Sequence, residues 1–142
     1  MSSINTGKVV TGGLLGGLVL NILDFANNYL VVGEDFRANA TRLGLDPAAA
    51  ESAAGIAVWV VIDFLMGILI VWTYAAIRPR FGPGPKTAIY AGLVPWFGIT
   101  LVMHGLSQGG LFPIALWAKM TVLTLIITSV GAVAGAWAYK ES

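Results

Sequence analysis

Apolar residues fall in four long blocks, at about 8–32, 53–77, 87–106 and 113–139, separated by short polar stretches. Each block holds the roughly 20 mostly apolar residues that a helix needs to cross the hydrocarbon core. Only helices and closed barrels satisfy their backbones in lipid. Barrel strands alternate apolar and polar residues over about ten positions, whereas the run Val122–Val133 does not alternate. The pattern therefore predicts an all-α polytopic membrane protein. It would be a four-transmembrane-helix bundle in a single domain, residues 1–142.

The block boundaries carry their own signals. Asp46-Pro47 reads as an N-cap followed by proline at the first helical position, so the second helix is expected to begin ahead of the membrane and enter it near Ala53. It is expected to stop near Arg78, because Pro79 disfavours helix in the residue before it. A stiff basic turn, 78–86, follows. Pro113 is expected to open the fourth helix as Pro47 opens the second, and Pro95 to kink the third or free a carbonyl within it. In the loop 33–52, residues 34–43 predict a short helix, with Phe36, Ala40 and Leu43 on one side and Gly44 as its stop. This interfacial helix would lie on the membrane surface or cap the bundle. The first block lacks a small-x-small cleavage site before Asn27-Asn28 and is read as a retained helix, not a signal peptide.

Composition agrees with the pattern. Hydrophobic residues make up 57% of the chain and charged residues 11%, against roughly 45–50% and 25% in soluble domains. A formal net charge of +1 gives no electrostatic reason to expect nucleic acid. The absence of cysteine excludes disulfides, thiolate catalysis and iron–sulfur clusters. Lys8, Arg78, Arg80, Lys86 and Lys140 fall on one side of the predicted spans, against Arg37 and Arg42 on the other. The positive-inside rule then makes both termini cytoplasmic and the 33–52 loop extracytoplasmic.

Small residues mark expected helix contacts. Gly12, Gly13, Gly16 and Gly17 form two overlapping small-xxx-small pairs on the first helix, and Gly131 and Gly135 form another on the fourth. In lipid, helices associate through such close backbone approach and through interhelical hydrogen bonds. These faces serve packing within one subunit, or else self-association or docking to another membrane subunit. Trp59, Trp72, Trp96, Trp117 and Trp137 read as an aromatic belt at the membrane interfaces. The sequon Asn39-Ala-Thr41 would matter only in a glycosylating host.

The candidate chemistry lies in polar residues inside the spans. Gly13, Gly17, Asn21, Asp24 and Asn28 share a stripe of the first helix, and Asp63, Gly67, Tyr74 and Arg78 one of the second. At 1.5 Å per residue, Asp24 lies roughly 12 Å inside a boundary near Val32 and Asp63 roughly 15 Å inside one near Ala53. Lys119 lies roughly 9 Å below Pro113 and His104 roughly 3 Å below Leu106. All four fall in the same half of the bilayer. An ionised group there costs at least about 2.5–3.5 kcal/mol, so these residues should face the bundle or a wet cavity. Asn21, Asn27 and Asn28 are available to complete a hydrogen-bonded network. The set reads either as a proton- or cation-handling site or as a clasp that fixes helix register. Lys119 has the alternative of snorkelling to the interface. His104 has that of an interfacial, hydrogen-bonded histidine instead of a ligand to haem or chlorophyll, and a lone histidine is a weak metal signal. No phosphate-binding, nucleophile-elbow or zinc-protease motif occurs, so no enzyme activity and no cofactor is indicated.

The stretch Tyr74-Ala-Ala-Ile-Arg-Pro-Arg-Phe-Gly-Pro-Gly-Pro-Lys86 with the glycine-rich first helix resembles small uncharacterised bacterial membrane proteins. That resemblance implies a four-helix membrane architecture and a bacterial source, and brings no activity. The first expectation for function is a non-enzymatic membrane subunit, self-associating or accessory to a larger complex. The second is a small homo-oligomeric transporter or channel using Asp24 and Asp63, since four helices rarely enclose a pathway alone. The third is a subunit that holds a cofactor or pigment through His104. The lipid bilayer is a partner in all three.

Overall fold

The computed structural model describes residues 3–140. Helix α1 (Thr6–Asn27) opens on Asn5, whose side chain accepts a hydrogen bond from the Lys8 amide at 3.1 Å. A π-helical stretch, Asn28–Val32, carries it into α2 (Gly33–Arg42), and together they form one helical run of 37 residues. A side chain at Gly33 would meet the Asn28 carbonyl at 2.5 Å, so the widened turn needs a glycine there. Gly44, at φ +72°, ends α2. The Leu45 amide bonds back to Ala40 at 2.9 Å and the Gly44 amide to Thr41 at 3.0 Å, the paired bonds of a Schellman cap.

Beyond it come α3 (Pro47–Glu51), α4 (Ala53–Phe81), α5 (Pro85–Gln108) and α6 (Ile114–Ala138). Among the described residues, four helical segments are long and apolar enough to cross a membrane: Thr6–Arg42, Ala53–Phe81, Pro85–Gln108 and Ile114–Ala138. They form an all-helical bundle in which α1 packs between α4 and α6, and α5 packs between the same two on the other side. The α4 and α6 helices also touch across the middle.

Four boundaries differ from the sequence expectation. The first span does not end near Val32 but continues through the π-helical stretch and α2 to Arg42, so residues 33–42 extend that helix instead of lying in a loop. The second span does not run continuously from Pro47. Ser52, at ψ 157°, breaks the chain and caps α4 by accepting from the Gly55 amide at 3.1 Å. The span also continues past Pro79 to Phe81. With the proline in the last turn only one helical hydrogen bond is lost, and Gly82, at φ +82°, closes the end with its amide on Arg78 at 2.8 Å. Pro113 is the N-cap of α6, not its first residue. Along α5 the helix runs without interruption through Pro95.

The buried core gathers at the end of the bundle that holds the termini. It includes Val9 on α1, Ile70, Val71, Tyr74 and Ala75 on α4, Ala88 and Ala91 on α5, and Ile127, Ala132 and Ala136 on α6. Glycines make this density possible. A Cβ on Gly12 would lie 2.7 Å from the Gly135 carbonyl, and one on Gly16 3.0 Å from that of Gly131. On the neighbouring face, a Cβ on Gly13 would lie 2.5 Å from Ile68 Cα and one on Gly17 2.7 Å from Phe64 Cα. One glycine pair of α1 thus meets α6 and the other meets α4.

The opposite end is more open. Residues 56–62 of α4 are exposed without a break, a surface suited to lipid. Helix α2 caps this end over the α5–α6 turn. Arg42 Nη2 donates to the Gly110 carbonyl at 2.8 Å and that of Leu111 at 3.2 Å, and Asn39 Nδ2 donates to Leu111 at 3.1 Å. Asn39 is buried, which leaves its amide committed to the fold and unsuited to a glycan. Trp96 and Trp117 do not project outward into a belt. Trp96 Nε1 donates to the Thr121 carbonyl at 3.2 Å and Trp117 Nε1 to that of Thr100 at 3.1 Å, cross-linking α5 and α6 in both directions. Trp59, Trp72 and Trp137 are exposed.

Candidate functional site: a carboxyl pair between α1 and α4

The close α1–α4 crossing at Gly13 and Gly17 sets the distance across which side chains further along must reach. Asp63 sits beside Phe64 at the edge of that crossing, and Asp24 lies about two turns beyond Gly17, toward the capped end. The two helices run antiparallel, and each Cα–Cβ bond tilts toward its own N-terminus. Asp24 therefore leans back toward the crossing and Asp63 leans away from it. Their carboxyl groups come within hydrogen-bonding reach of each other. Asp63 is buried and Asp24 half-buried.

Asn21 borders the pair. Its Nδ2 donates to the Gly17 carbonyl of its own helix at 2.9 Å and to the Val60 carbonyl of α4 at 3.3 Å, so that one side-chain amide pins both backbones beside the carboxyls. Asn27, one turn beyond Asp24, is buried, and its Oδ1 has no hydrogen-bond partner among the described residues. Asn28 is exposed and contributes its backbone, as the first residue of the π-helical stretch. Such a widened turn is frequent near functional sites.

Lys119 and His104 have other partners. Lys119 Nζ bonds to Asp35 Oδ2 of α2 at 2.6 Å, with both side chains partly exposed. The His104 ring packs on Trp117 with centroids 4.5 Å apart, and its Nδ1 is buried with no hydrogen-bond partner among the described residues. The fold thus brings together Asp24, Asp63 and Asn21, and it engages Lys119 with Asp35 and His104 with Trp117. Among the described residues, no group of three or more His, Asp or Glu is placed to hold a metal ion.

The cap has its own charges. Arg37 bridges Glu51 of α3 and Glu34 of its own helix, the latter at 3.1 Å. The hydrogen bond from Arg37 holds the Glu51 carboxyl below the ordinary carboxylate value. A cavity of about 210 Å³ lies between α2 and the start of α6, with Asp35, Asn39, Arg42 and Leu116 in its wall.

Asp35 is not foreseeable from the sequence as the partner of Lys119, because 84 residues separate them and no periodicity links α2 to α6. The Arg42 and Asn39 contacts to the α5–α6 turn are hidden in the same way, lying nearly as far apart in the chain. For the π-helical stretch, Gly33 is the local sign that the sequence offers. No protein-family model, no curated protein and no solved structure matches the chain.

Proposed function

We propose that this protein handles protons or small cations in the membrane, with Asp24 and Asp63 as the binding groups. The observation that carries this reading is the contact between two carboxyl groups inside the spans. Lys119, the cation closest to them in expected depth, is engaged with Asp35 instead. Two carboxyl groups can hydrogen-bond to each other only through a proton on one of them, and a cation bridging them meets the same need. Such intramembrane acids mark ion pathways and proton relays.

Four helices rarely enclose a pathway alone, so the working unit would be a homo-oligomer. The glycine faces are used inside the subunit, which leaves other lipid-facing surface for that contact. The Lys and Arg distribution supports cytoplasmic termini, and with that orientation the pair would lie in the outer half of the bilayer. Reconstitution tests the reading. Liposomes containing the protein should pass protons or a monovalent cation faster than empty ones, and Asp24→Asn or Asp63→Asn should abolish the excess.

A second reading keeps the protein as a non-enzymatic membrane subunit in which the pair fixes helix register. The tight glycine crossing beside the pair favours it. On this reading the two variants lose stability, and the unaltered protein conducts nothing. The position of His104 against Trp117 lends no support to a pigment or cofactor role.

A further inference from the structure

The bundle end that holds the termini differs in charge from the capped end. Its described charged residues are Lys8, Arg78, Arg80, Lys86 and Lys140, all basic. Glu141 is the one acid that the sequence puts nearby, and it lies outside the described residues. The capped end instead mixes Glu34, Asp35, Asp46 and Glu51 with Arg37 and Arg42. A surface of one sign at a membrane boundary calls for a counter-charge in the lipid.

The α4–α5 turn gives this charge a fixed shape. Gly82 and Gly84 adopt φ of +82° and +127°, values that L side chains rarely take. The Gly84 amide donates to the Tyr74 hydroxyl at 3.2 Å, and the Thr87 hydroxyl donates to the Phe81 carbonyl at 3.4 Å. Tyr74 is itself buried, so the turn is tied to the core. Phe81 and Tyr90 meet edge to face at 6.0 Å, and the Lys86 ammonium stands 5.8 Å from the Tyr90 ring centroid. Phe81 is 57% and Tyr90 40% exposed. Arg80 and Lys86 are exposed on the same turn.

We infer that the 78–86 turn binds the headgroup of an anionic phospholipid, with Arg80 and Lys86 holding the phosphate and Phe81 and Tyr90 seated at the acyl boundary. The guanidinium offers paired donors to phosphate oxygens, and the ammonium acts as a point charge beside it. Aromatic rings favour the headgroup level, so the exposed pair sets the depth at which the cations meet the phosphate. A turn already fixed by the core loses little freedom on binding. This lipid site is independent of the carboxyl pair, which lies toward the other end of the bundle.

The test is lipid retention by the full chain, purified in mild detergent with equal phosphatidylglycerol and phosphatidylcholine and weighed by native mass spectrometry. A basic residue near an anionic surface is worth about fivefold in binding, so phosphatidylglycerol should be retained several-fold over phosphatidylcholine. Arg80→Gln with Lys86→Gln should remove most of that preference, and Arg80→Lys with Lys86→Arg should keep most of it. Unchanged helix content by circular dichroism shows that the neutral variant is folded. Equal retention of the two lipids, or an undiminished preference in the folded neutral variant, overturns the inference. Displacement of the lipid by soluble glycerol phosphate at matched concentration would also overturn it, assigning the turn to free phosphate.

Discussion

The Asp24 and Asp63 carboxyls come within hydrogen-bonding reach because the backbones of α1 and α4 are nearly in contact where Gly17 faces Phe64, the neighbour of Asp63, about two turns of α1 before Asp24. Aspartate is a short side chain, and two of them bridge neighbouring helices only where the axes run close. The glycines and the carboxyl pair are therefore parts of one arrangement. Tilted Cα–Cβ bonds on antiparallel helices close the remaining gap.

That dependence makes Gly67 a sensitive position. A Cβ there would meet the Gly13 carbonyl and lie 2.8 Å from Gly17 Cα, against backbone that has little room to yield. Gly67→Ala should lower stability by about 1–3 kcal/mol, the usual range for overpacking. A Cβ on Gly98 would meet no atom within 4 Å, and Gly98→Ala should change stability by no more than about 0.5 kcal/mol. Equilibrium unfolding in mixed detergent micelles checks both.

The crossed indole bonds between α5 and α6 predict a smaller effect. Trp96→Phe and Trp117→Phe each remove one donor to a carbonyl of the other helix while keeping most of the ring. Interhelical hydrogen bonds in membranes average about 0.6 kcal/mol, so each should cost about that much in the same assay. Trp59→Phe, at an exposed ring, should cost less than either.

Lys119 and Asp35 form a partly exposed ion pair at 2.6 Å, of a kind worth about 0–1 kcal/mol. Lys119→Met and Asp35→Asn should each destabilise the protein within that range. Neither should alter ion flux in liposomes. A loss of flux in Lys119→Met would place the lysine in the carboxyl site.

Glu51 makes the cap sensitive to acid. Its hydrogen bond to Arg37 lowers the carboxyl below its ordinary value in the folded chain. A lowered folded value means that the Arg37–Glu51 contact contributes fully above the ordinary carboxylate range and is lost as pH falls through the folded value. Amide-exchange protection factors in residues 48–52 should hold steady down to that range and fall below it. In Glu51→Gln they should stay nearly flat with pH.

The four spans are legible in the sequence because a bilayer forces long apolar runs, and those runs need no partner to be recognised. That Asp24 and Asp63 fall at one height along the antiparallel pair is legible too, since helical rise turns residue number into distance along the axis. Their side-to-side contact is not, because rise says nothing of which helices are neighbours. Depth alone groups Lys119 and His104 with the carboxyls, and the fold puts them at other helix contacts. The π-helical stretch is hidden for a different reason: residues 28–32 continue the apolar run, and the widened turn leaves that run unbroken. Pro79 signals a stop three residues early, at Arg78 instead of Phe81, since a proline in a last turn costs a helix little.

Ion flux in liposomes tests the central claim most directly. Wild type, Asp24→Asn, Asp63→Asn and the double variant would be reconstituted at equal protein-to-lipid ratio, each with a pH-sensitive dye inside and an imposed ion gradient. If the carboxyls work as one unit, wild type conducts above empty liposomes, and both single variants fall as far as the double. Wild-type liposomes no leakier than empty ones, or single variants that conduct as wild type does, would contradict the assignment of the Asp24–Asp63 pair as the working site.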